Sequence, residues 1–211
     1  MEYSTCRSPR TWPIGHVYSF CRSKGLDLTV TVNTAWAIVL WSYTGEERIA
    51  FPSLSITDDS QKWQHCEASV DWTSKISSVL QRVQSGTKQV STSTSTVDAD
   101  PLHLQRSPLL NTVTVFKSGD PCCTTSIGGP HLTGLVCGLP EISLDCAVEF
   151  DQGVVDRKQA ERLAAAFAHV MDLILSTPDK MLASVDIVSD HDKAEVYIIS
   201  MTVPSPNSVP I

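Results

Sequence analysis

The stretch VEFDQGVVDRKQAERLAAAFAHVMDLILSTPDKMLASVDIVS, residues 148–189, runs from the end of one strand through a capped helix to a helix stop. Asp156 stands three positions ahead of Gln159. That is capping-box spacing, in which each side chain satisfies a backbone N–H that the helix start leaves unpaired. Val155 and Ala160 are placed to close a hydrophobic staple across the same turn. Leu163, Ala164, Phe167, Val170, Met171 and Ile174 then recur at three- and four-residue intervals, which predicts an amphipathic helix that Pro178 brings to an end. Immediately upstream, HLTGLVC (131–137) and EISLDCAVEF (141–150) flank the short break GLP, so the two runs are expected to pair as an antiparallel hairpin, with Gly134 a weak point in the first. A strand pair feeding a long helix with one apolar face implies a sheet covered by helices.

Further out, residues 27–43 carry Leu28, Val32, Ala35, Trp36, Val39, Leu40 and Tyr43 on one helical stripe. Asp27 is placed to cap that helix and Gly45 to close it, and ERIAF (47–51) follows as a strand. Residues 13–24 read as an earlier helix, since Pro13 suits a first turn, Ile14, Val17, Tyr18 and Cys21 share a face, and Gly25 stops it. The pattern weakens after Pro52 until Trp72, Ile76, Val79, Leu80 and Val83 mark a helix running to about Gln84. LLNTVTVF (109–116) is β-branched and alternating, a strand, and SGDPCCTTSIGGP (118–130) is turn chemistry. The Ser/Thr-rich residues 85–101 offer little to bury and are expected to form a mobile loop, while the proline-rich tail 201–211 is expected to be an extended linker.

With 211 residues, 42% of them hydrophobic, the chain can remove roughly 70% of its unfolded surface from water, enough for one sizeable core. A net charge of −7, a pI near 5.3 and no Lys/Arg cluster exclude a phosphate-tracking surface, so nucleic acid is not an expected partner. The longest apolar run, LTVTVNTAWAIVLW (28–41), is shorter than the roughly 20 residues a bilayer requires and carries Asn33; it is expected to be a core helix, with no membrane partner. Seven cysteines without paired C-x-x-C spacing, and an N-terminus lacking a secretory pattern, imply free thiols in a cytoplasmic, reducing setting.

Chemistry-bearing residues form no convincing constellation. Histidines 16, 65, 103, 131, 169 and 191 are dispersed, and a general base needs a positioned partner. Cys122 and Cys123 are adjacent, a poor arrangement for one metal, and SIGGPH (126–131) lacks both the Walker lysine and Rossmann spacing. Asp186, Asp190, Asp192 and Glu195 fit helix capping better than a calcium loop. No catalytic, cofactor-binding or metal residues are therefore assigned. Among the five tryptophans Trp36 lies on the apolar stripe and Trp41 off it, which makes Trp41 a candidate interface residue.

Three passages, GLDLTVTVNTAWAIVLWSYTGEERIAF (25–51), SPLLNTVTVF (107–116) and residues 148–189, in this order, together resemble the C-terminal lobe of a nonribosomal peptide synthetase condensation domain. The resemblance implies an α/β fold: a single lobe of the chloramphenicol-acetyltransferase-like condensation fold, its mixed sheet covered by helices. In that family an upstream acyl thioester is attacked by a downstream aminoacyl amine at a His-His-x-x-x-Asp-Gly motif carried by the N-terminal lobe. This chain has no His-His pair, and none of its histidines has Asp four residues on. It also departs from the family inside the lobe, with PSLSITDD (52–59) replacing a Gly-rich segment that ends in Arg and no recognisable Asn-containing strand between positions 56 and 70.

The expectation that follows is a truncated, non-catalytic lobe over residues 1–200, with 201–211 leading toward an adenylation domain, in secondary-metabolite biosynthesis. The chain itself needs no cofactor; the parent synthetase would use ATP, magnesium and phosphopantetheine. Expected partners are the downstream adenylation domain, an upstream synthetase subunit or carrier protein, and a second copy of the chain. Alternatives are a half-domain completed in trans by a catalytic lobe, and a docking module for an upstream subunit or carrier protein. Trp41, Leu109, Val113 and Val115 are the candidate interface residues, the last three because their strand lies near the family's lobe boundary and should expose apolar surface unless something covers it.

Overall fold

The computed structural model describes residues 3–57, 60–89, 112–121, 133–139 and 142–187. Its strands are β1 (Tyr3–Arg7), β2 (Trp12–Pro13), β3 (Arg48–Thr57), β4 (Ser60–Ser69), β5 (Lys88–Gln89), β6 (Thr112–Ser118), β7 (Thr133–Leu139) and β8 (Ser143–Asp151), and its helices α1 (Ile14–Lys24), α2 (Leu28–Thr44), α3 (Ile76–Gly86) and α4 (Arg157–Ser176). The strands form one mixed sheet in the order β1-β8-β7-β6-β3-β4-β5, with β2 continuing along the same edge of β8 that β1 occupies. β6 is parallel to both of its neighbours, β3 and β7, and the other pairs are antiparallel.

The four helices lie on one face. α2 is buried at every position from Val30 to Trp41, as befits a helix apolar all round, and it packs against α4 and α3 as well as β3. α4 presents its apolar stripe to α2, β8 and β1, and its start is the expected capping box: the Gln159 N–H donates to Asp156 Oδ1 at 2.8 Å and the Asp156 N–H to Gln159 Oε1 at 3.1 Å. Val155 and Ala160 are both buried across that turn. The β7–β8 hairpin, the mixed sheet and its helical cover are as the sequence implies.

Several elements differ from expectation. Asp27 occupies the N-cap of α2, yet its side chain makes no cap bond; only its carbonyl accepts, from Thr31. The strand after Gly45 does not stop at Phe51 but continues to Thr57 through Pro52. Proline is tolerated there because the ladder to β6 begins one residue later, at Ser53, so that side of Pro52 has no ladder partner to lose. The region 56–70, given no element by its sequence, holds β4, paired with β3 along its full length. Polar side chains at most β4 positions hide its alternation, since only Cys66 and Ala68 are buried. α3 starts at Ile76, four residues after Trp72. β1 and β2 are additional strands whose partner, β8, lies far downstream in the sequence. β6 extends to Ser118, and its expected start at 109–111 lies outside the described residues, as do most of the two expected loops and the tail 201–211.

Candidate docking surfaces

Asp71 organises the connection from β4 to α3. Its Oδ1 accepts the Thr73 N–H at 2.7 Å and the Thr73 hydroxyl at 2.5 Å, while Oδ2 accepts the Ser74 hydroxyl at 2.7 Å. These bonds hold its carboxyl down at about 2, the Thr73 and Ser74 hydroxyls contributing most. Arg82, from α3, reaches back to the Ser69 carbonyl and the Ser74 hydroxyl at 2.9 and 2.8 Å. The segment after α4 fastens the other side. The Ala183 N–H donates to the Trp72 carbonyl, Leu182 N–H to Ser74, and the N–H groups of Ile76 and Ser77, which no side chain caps, are taken up by Lys180 and Pro178.

On this fixed turn the Trp72 ring is 57% exposed, while beneath it Trp41 is only 4% exposed, the two rings meeting edge to face at 4.5 Å between centroids. Met181, bridged to Lys75 across the same seam, is also exposed. A large aromatic side chain held out on an immobilised turn is suited to contact another protein, because little conformational freedom remains to be lost on binding. The rest of the described surface offers less for chemistry. No group of three or more potential metal ligands occurs among the described residues. His169 donates through Nε2 to the Asp186 carbonyl at 2.6 Å, and burial pushes the Cys66 thiol up to about 12 and those of Cys21 and Cys146 upward as well.

No family model matches the chain. Among curated proteins it is similar to the nonribosomal peptide synthetase vlms of Lecanicillium sp, at 21% identity over 85% of this chain and 2% of that protein. Among solved structures it is similar to the X-domain in its complex with OxyB from teicoplanin biosynthesis (TM-score 0.64, 15% identity, 90% of this chain, 49% of that one). It is likewise similar to the first condensation domain of the CDA synthetase (TM-score 0.57, 11% identity, 88% of this chain, 46% of that one). The fold is that of one condensation-domain lobe. The lobe spans about half the length of the solved chains it matches and a small fraction of the curated synthetase.

Among the described residues, the sequence-based interface residues fall on different faces of the sheet. Trp41 lies under Trp72 at the helical side, so the ring available to a partner is that of Trp72, which the sequence assigned to the helix stripe. The signal that could have found it is the Asp71, Thr73, Ser74 spacing of DWTS, which makes a side-chain turn and holds Trp72 out of the helix. Val113 and Val115 lie on the opposite face of the sheet, and Leu109 lies outside the described residues. Both valines are buried, in a small cluster with Leu54 and Val136 that Ile56 and Trp63 flank. Leu54, Val113, Val115 and Val136 are each no more than 4% exposed in the single chain. Charged groups border the cluster: Lys117 follows Val115 on the same face, and at the β8 side Arg7 pairs with Asp120 at 2.5 Å.

Proposed function

We propose that the lobe is a non-catalytic docking platform of a nonribosomal peptide synthetase, holding the adjacent adenylation domain through the surface around Trp72. The observation that carries this reading is the exposed indole on a turn fixed from both sides. Two further facts support it. The chain lacks the His-His-x-x-x-Asp-Gly sequence on which condensation chemistry depends, and a condensation-like relative, the X-domain, is known in complex with another protein. In this role the lobe binds no cofactor of its own; ATP, magnesium and phosphopantetheine serve other domains of the synthetase.

The test is a calorimetric titration of the lobe with the adenylation domain of its parent synthetase. Trp72→Ala is expected to weaken binding at least about tenfold, as loss of a central aromatic anchor does. It should lower stability by only about 1 kcal/mol, the worth of an aromatic pair. Equal affinity of the two forms would overturn the Trp72 assignment. Amide formation from thioester donors by the purified chain, abolished by a single His substitution, would overturn the non-catalytic reading.

A further inference from the structure

Cys137 and Cys146 face each other across the β7–β8 ladder as direct register partners, their sulfurs 3.2 Å apart. Directly opposed residues in an antiparallel pair have Cα atoms about 4.5 or 5.5 Å apart. Both values lie inside the range of about 4.4–6.8 Å that a disulfide spans, so the register permits the bond. Both thiols are free, and both point to the helical side, where they join the main core beneath the helices. The hairpin is flanked by β6 on one edge and by β1 and β2 on the other, so neither strand is an outer one that could peel away alone.

We propose that Cys137 and Cys146 form a dithiol–disulfide couple whose state is chosen while the β7–β8 hairpin assembles and is then sealed by the helical layer. Only the oxidant need be supplied, and a small-molecule disulfide such as oxidised glutathione is of the right class. One cysteine thiolate attacks it, forming a mixed disulfide and releasing one glutathione thiolate. The second cysteine thiolate then displaces the other glutathione. One S–S bond breaks and one forms, the two protein thiols give up two protons and two electrons, and two molecules of reduced glutathione leave. The hairpin is local in sequence, so its strands can meet before the distant N-terminal strands arrive. After folding, the pair is buried and burial raises the Cys146 thiol well above its ordinary range, so exchange in either direction requires opening the core.

The experiment is to refold the reduced, denatured chain in a glutathione redox buffer, alkylate the remaining thiols, and digest with a protease that cuts after Glu141, which lies between the two cysteines. A peptide pair joined through Cys137 and Cys146 and lighter by two hydrogen atoms is expected, with a melting temperature several degrees above that of the reduced form. Reductant should open this bond about a hundredfold more slowly in the folded chain than in denaturant, reflecting the cost of exposing a core site. If both residues are recovered fully alkylated, or if Cys146 is joined to another cysteine, the couple does not exist. If folded and denatured chains are reduced at the same rate, the seal does not. Mapping is done on the unsubstituted chain, so no outcome depends on whether a core variant folds.

Discussion

Asn33 is buried in the first half of α2, and its position is explained by what it meets on the sheet. The Thr114 hydroxyl donates to Asn33 Oδ1 at 2.8 Å, and Asn33 Nδ2 donates to Ser53 Oγ at 3.3 Å. One turn along α2, Trp36 Nε1 donates to the Thr112 hydroxyl at 3.2 Å. The helical spacing of Asn33 and Trp36 thus matches the two-residue spacing of Thr112 and Thr114 on the inward face of β6, and a shift of either element by one residue would break both contacts. Replacing Asn33 with Leu should therefore cost about 2 kcal/mol or more, because it leaves buried hydroxyls short of partners. Urea denaturation checks this, and an unchanged midpoint would mean that the seam is dispensable. The sequence marks Asn33 as a polar interruption. It does not reveal Thr114, which is 81 residues away and becomes a neighbour only once β6 enters the sheet.

Elements whose signals are local were legible. The α4 capping box, the αL glycine that ends α2 and the β7–β8 hairpin depend on residues close together in the chain, and each is present. β4 was not legible, because its core-facing side chains are few and polar residues occupy its other positions. The start of α3 was misplaced because Trp72 falls on the extrapolated apolar stripe although the Asp71 turn takes it out of the helix. That turn carries a pH dependence. The folded carboxyl of Asp71 is held at about 2, below its ordinary value of 3.8, so its stabilising contribution is complete above the ordinary value. The contribution fades as pH falls from the ordinary value through the folded one. Acid titration followed by tryptophan fluorescence should show the turn loosening in this window, and Asp71→Asn should remove the step. An identical acid transition in both proteins would assign it to other carboxylates.

At the scale of the molecule, a single sheet is held by helices on one side, and α2 and α4 form the centre of that layer. Val39 and Leu163 are buried in it, so Val39→Asp or Leu163→Asp should each cost about 4 kcal/mol or more by placing an unpaired charge in the core. That is a large share of the roughly 5–15 kcal/mol available to a domain. Loss of soluble expression or of the cooperative melting transition is expected; a soluble variant melting at the usual temperature would place the apolar stripes elsewhere. The helical layer and the sheet beneath it could be read from periodicity, but the order of the strands could not, because it joins segments far apart in the sequence. Tyr3 pairs with Asp151 and Trp12 with Leu144. During synthesis β1 therefore emerges well before β8, and about 150 residues must follow it, on the order of ten seconds of elongation, before β8 can receive it. For that interval the residues of β1 wait for β8 on a growing chain, and the time spent waiting is a property of the topology that no local substitution can shorten.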